Sequence, residues 1–163
     1  MAAFTGTPTS SLQYADQLTS QMSDPVIGQG QLRCHPFKYT HTATEGAGTG
    51  EVNLTKLPAG LIRVLPNLSH IHTYTAFGSS ADLHIGYRAH TNMDGTSVSE
   101  DDNAFADNLD AGGGALDAIW ALPAVGYLDL DSQDGVVIFA LIDSGNIEAT
   151  DTIEGYCTFI QVG

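Results

Sequence analysis

Six histidines are the residues best suited to chemistry in this chain. His70 and His72 stand two apart in the run LSHIHTYTAF, so an extended strand points both imidazoles to one face. With His84 from a neighbouring strand they form the candidate ligand set for a metal ion, because imidazole binds transition metals well. A β-barrel metal centre built on such a pair needs a carboxylate a few residues on. Thr73, Tyr74, Thr75 and Ala76 stand there instead, so solvated or interface histidines are the expectation, with no metal and no cofactor. The stretch Asp129-Leu-Asp131-Ser-Gln-Asp134-Gly135 resembles a calcium loop only in part. Its third acid and its glycine are each one place late, and its twelfth residue is Ala140. Asp134-Gly135 reads better as a hairpin turn between two strands. Cys34 and His35 are sequence neighbours, which does not make a nucleophile and its base. No G-x-S-x-G elbow, phosphate-binding loop or dinucleotide fingerprint occurs. The residues predict no catalysis.

The elements that would position these groups are short and β-rich. From residue 31 onward, runs near 31–40, 50–56, 60–65, 68–77, 81–90, 125–130, 135–142 and 152–162 are bounded by Gly, Pro, Asn and Asp. Leu83, Ile85 and Tyr87 alternate with His84, Gly86 and Arg88, the mark of a half-buried strand. The run VVIFALI (136–142) is apolar on both faces, as a central strand requires. The expectation is an all-β fold, an antiparallel β-sandwich of jelly-roll type over residues 31–163. One short inserted helix is predicted over about 99–110, capped by Ser99, with Glu100, Asp101 and Asp102 in its first turn and Ala104, Phe105 and Leu109 as its stripe. A second short helical turn is predicted at 115–121. Residues 1–30, with isolated apolar residues among Ser, Thr, Gln and Gly, read as an extended arm. Phe4, Leu12, Tyr14, Leu18, Met22, Val26 and Ile27 are its candidate interface residues. Its N-terminus has neither the basic nor the apolar region of a secretion signal. Cys34 and Cys157 could close one long loop as a disulfide, but without such a signal two reduced, buried thiols are the expectation.

The charge is unevenly spread. The chain has 19 Asp+Glu against 5 Lys+Arg, a formal net charge of -14. Every Lys and Arg lies at or before Arg88 and is balanced there by an equal number of acids, so the remainder carries the whole excess. Nucleic-acid binding rests on clustered Lys and Arg, and so does docking on an anionic membrane; both are excluded as the main task. A hydrophobic fraction of 42% is enough for one domain with a core.

The block 57–110 resembles a family of small tailed-bacteriophage virion proteins. The likeness is carried by Leu57-Pro58-Ala59-Gly60, by Ala81-Asp82-Leu83-His84-Ile85-Gly86-Tyr87, by Thr91-Asn92-Met93-Asp94-Gly95-Thr96 and by the acidic segment ending Ala106-Asp107-Asn108-Leu109-Asp110; Asp134-Gly135 and the apolar strand after it extend it. The resemblance implies a structural protein, a decoration or cement protein on the outer surface of the head, with the major capsid protein as its partner. Three-fold positions on a head lattice favour a homotrimer. The arm would add a strand to a neighbour's sheet edge. A tail- or fibre-associated receptor-binding module is the alternative, with a cupin-like metal-dependent enzyme behind it. The acidic half is expected to face solvent, so that crowded particles repel one another.

Overall fold

The computed structural model describes residues 32–42, 48–78 and 80–162. It is an antiparallel β-sandwich of two main sheets. The six-stranded sheet contains β1 (Leu32–Thr40), β3 (Gly60–Val64), β4 (His70–Thr73), β9 (Asp117–Ile119), β10 (Leu128–Ser132) and β12 (Thr152–Gln161). The four-stranded sheet is ordered β2 (Gly48–Leu57), β11 (Val136–Ile147), β5 (Asp82–Tyr87), β8 (Asp101–Asp110). A small hairpin, β6 (His90–Thr91) with β7 (Ser97–Val98), turns through Asn92–Thr96, where Gly95 has φ +88°. In neither main sheet do consecutive strands pair; the chain passes repeatedly from one sheet to the other.

β12 organises the six-stranded sheet. One side pairs along its length with β1; the other is shared by β3 near Phe159–Gln161 and β4 near Ile153–Tyr156. β11 is central in the other sheet, between β2 and β5, as its apolar run requires. Between the sheets lies a core rich in Leu, Ile, Val and Phe, with Trp120 at its aromatic centre. The Trp120 ring lies 6.4 Å from Phe37 of β1 and 5.7 Å from Phe105 of β8, so it touches both sheets.

Three sequence expectations are corrected. Residues 101–110 form strand β8 and not a helix. Four Asp and two Asn among ten residues have poor helix propensity, and the open edge of β5 offers a ladder of backbone partners instead. Bulges let the consecutive Phe105 and Ala106 both enter the core, a placement that mimics a helical stripe in sequence. The turn expected at 115–121 is likewise no helix: it holds the short strand β9 followed by the buried Trp120. Asp134-Gly135 is a turn, with Gly135 at φ +86°, but no hairpin: β10 pairs with β3 and β11 with β2 and β5.

The cysteines are free, but only Cys157 is buried. Cys34 stands opposite Thr158 and His35 opposite Cys157, so alternation sends the two sulfurs to opposite faces of the sheet. Burial pushes the Cys157 thiol far above its ordinary range. Thiol titration of the native protein with an aromatic disulfide reagent is expected to find one reactive group, and two after unfolding. Two fast-reacting thiols in the native state would contradict the placement of Cys157.

Candidate interaction surface

The structure brings two of the three candidate histidines together. His70 and His72 both point outward from β4 on the six-stranded sheet. His84 lies on β5 in the other sheet, bonded through Nδ1 to Asp107 at 2.9 Å, and so faces away across the whole sandwich. Among the described residues no group of three or more His, Cys, Asp or Glu is placed to hold a metal. The acids of the calcium-like stretch also diverge: Asp129 takes the Arg63 guanidinium through two bonds of 2.7 and 2.8 Å, and Asp131 accepts from the Met93 amide. Phe4, Leu12, Tyr14, Leu18, Met22, Val26 and Ile27 lie outside the described residues.

What the histidines join is a pair of cross-strand rows. Register places Lys38, Glu154, His72 and Asp117 side by side across β1, β12, β4 and β9. The next row is Pro36, Tyr156, His70 and Ile119. The side chains interlock. Glu154 accepts the Tyr74 hydroxyl at 2.6 Å and pairs with Lys38 at 3.1 Å, while His70 stacks on Tyr156 at 5.7 Å and bonds to Asp117. His72 meets the Tyr74 ring edge at 4.8 Å. Further along, Arg63 lies over the Tyr127 ring at 4.2 Å.

The two outer faces differ in chemistry. Ten large hydrophobic residues are exposed among those described. Leu32, Leu61, Ile119 and Tyr156 stand on strands of the six-stranded sheet, and five more on segments that enter or leave them; none is on the four-stranded sheet. The strands of the four-stranded sheet carry seven acids and one base, those of the six-stranded sheet four acids and three bases. Single exposed apolar residues are ordinary, but a concentration of them on one face marks a surface made to be covered.

The four-stranded face holds its own lock. Arg88 lies over Phe139 at 3.9 Å, reaches Glu51 at 2.5 Å and Glu100 at 2.9 Å, and donates to Asn53 at 3.2 Å. It thereby covers Phe139, which is buried although it lies outside the core cluster between the sheets. Sequence reasoning missed this cluster, because its members are spread over 89 residues and meet only through the strand order.

The Tyr74 hydrogen bond, with Lys38 beside it, holds the Glu154 carboxyl below the ordinary glutamate range. A carboxyl lowered on folding stabilises above its unfolded value of about 4.3. That contribution is lost as pH falls through the lowered folded value. The melting temperature of the wild type is therefore expected to exceed that of Glu154→Gln near pH 6, with the gap closing below about pH 4. A gap that stays constant down to pH 2 would show that ionisation of Glu154 contributes nothing.

No family model matches this sequence, and no curated protein matches it. Two solved chains are among those similar to this one. One belongs to the acidic stable capsid structure of Helicobacter pylori bacteriophage KHP30, with 15% identity over 82% of this chain and 90% of that one and a TM-score of 0.40. The other belongs to the cyanophage Pam1 capsid asymmetric unit, with 12% identity over 90% of this chain and 96% of that one and a TM-score of 0.44.

Proposed function

We propose that this chain is a structural protein of a bacteriophage virion, a decoration or cement protein that sits on the outer surface of the head and stabilises the shell. One observation carries the reading: the sandwich has one acidic face nearly free of exposed apolar groups and one face studded with them. A protein with a solvent face and a face to be covered is suited to assembly, and the resemblance of residues 57–110 to phage virion proteins names the assembly. The acidic face keeps the particle surface solvated and repels neighbouring particles. Residues 1–30 grip the shell, with the major capsid protein as partner. The expectation that the acidic half of the chain faces outward becomes more specific: it is the four-stranded sheet, built from both halves of the sequence, that faces solvent.

Co-sedimentation with capsids lacking this protein tests the assignment. The full-length chain is expected to pellet with the shell at a copy number comparable to that of the capsid subunits and to raise the temperature at which the head opens. A chain lacking residues 1–30 is expected to stay in the supernatant. Equal binding by the truncated chain would sink the role given to the arm. A label confined to the tail of the virion would overturn the head assignment and favour the tail-associated module.

A further inference from the structure

We infer that the apolar face of the six-stranded sheet is covered by the same face of a second copy of this chain, the two related by a two-fold axis that runs along the strands between β12 and β4. The inference rests on the assembly reading above and names the occupant of that surface.

Charge complementarity selects this occupant. A two-fold axis lying in the interface and parallel to the strands keeps each cross-strand row at its own level and reverses its order. The row Lys38–Glu154–His72–Asp117 alternates basic and acidic residues, so reversal sets Lys38 opposite a second Asp117, and Glu154 opposite a second His72. The row Pro36–Tyr156–His70–Ile119 reverses equally well. Its ends become an apolar contact, and each Tyr156 ring meets a second His70 as it already meets its own. One operation thus satisfies two adjacent rows, as an isologous interface requires. The Arg63–Asp129 pair is already closed on itself and falls toward the rim. The four-stranded face cannot serve in this way, because seven acids against one base would meet their own like.

The size is sufficient. Four strand positions at about 4.8 Å and some nine residues at about 3.3 Å give roughly 600 Å² per partner. That is near the low end of specific interfaces, so a dimer with micromolar affinity is expected, strengthened on a surface where copies are held close. A two-fold pair then replaces the trimer that lattice symmetry alone favours.

Light scattering of the purified full-length chain, without capsids, tests this apart from the head assignment. A mass twice 17.1 kDa is expected above about 50 μM, falling toward one chain on dilution. Tyr156→Asp is expected to be monomeric at all these concentrations with an unchanged far-ultraviolet spectrum. His72→Glu, which sets Glu opposite Glu154, is expected to weaken the dimer at least ten-fold. Glu154→Lys combined with His72→Glu restores a complementary row and is expected to bring the affinity back to within about three-fold of the wild type. A monomer at every concentration, a mass of three chains, a dimeric Tyr156→Asp, or no rescue by the double variant would each overturn the inference. Capsid binding by a monomeric chain would leave the head assignment standing.

Discussion

Trp120→Ala is expected to lower stability by about 3–5 kcal/mol and the melting temperature by about 10 °C. Trp120 has no exposed surface and stands between sheets, against Phe37 from one and Phe105 from the other. Its backbone also ties the layers: its amide donates to Ser69 beside β4, and the Leu122 amide donates to Phe105 of β8. Removing the indole leaves a cavity lined by side chains that the two sheets hold apart, so the site cannot collapse without moving both. Trp120→Phe is expected to cost far less. The ring contacts remain, and the buried indole Nε1 has no acceptor among the described residues, so its loss forfeits no hydrogen bond. Denaturant unfolding of the two variants checks this. A loss under 1 kcal/mol for Trp120→Ala would mean that the aromatic cluster does not join the sheets.

Gly86→Val is expected to cost about 3 kcal/mol or more and to free β8 from the sheet. The reason is room. A Cβ on Gly86 would lie 1.9 Å from the Asp101 carbonyl oxygen and 2.6 Å from the Asp102 Cα. These are backbone atoms, so no side-chain rotation relieves the overlap. The close approach exists because β8 carries extra residues between its pairings with Ile85 and Tyr87, and they fold across the outer side of β5. Overpacking usually costs 1–3 kcal/mol; a clash of two backbones belongs at or above the top of that range. Amide hydrogen exchange is expected to show loss of protection in 101–110 before the rest of the domain. Gly95→Ala is the control: no atom lies within 4 Å of the added Cβ, and only the left-handed φ of +88° opposes it. About 1 kcal/mol is expected there. Equal losses at both glycines would show that backbone conformation, and not contact between β5 and β8, sets the effect.

The strand inventory was legible in the sequence because local rules govern it. Alternation marked β5, an unbroken apolar run marked β11, and turn residues bounded these and the other runs; the T-x-x-D-G segment became the β6–β7 hairpin. The composition likewise pointed to an all-β class. The error at 101–110 has a local cause. An apolar pattern of Ala104, Phe105 and Leu109 behind acids fits a helix start, and a bulged strand can bury the same residues only when a partner edge is present. That edge belongs to β5, and nothing near 101–110 announces it.

The surface was not legible at all, for a topological reason. Because consecutive strands do not pair in either main sheet, each face is a mosaic of segments remote in sequence. Lys38, His72, Asp117 and Glu154 share a row only because β12 accepts β1 on one side and β4 on the other. The parity of His70 and His72 was correct, since period two is a property of any strand, but their separation from His84 depends on which sheet each strand joins. The sequence by itself determined most of the segments that extend, which residues of each of those point together and that the acids outnumber the bases. Tertiary structure decided that the acids gather on one sheet and the exposed aromatic and aliphatic groups on the other. Strand pairing is fixed by long-range burial, and no local interaction in the chain carries that information.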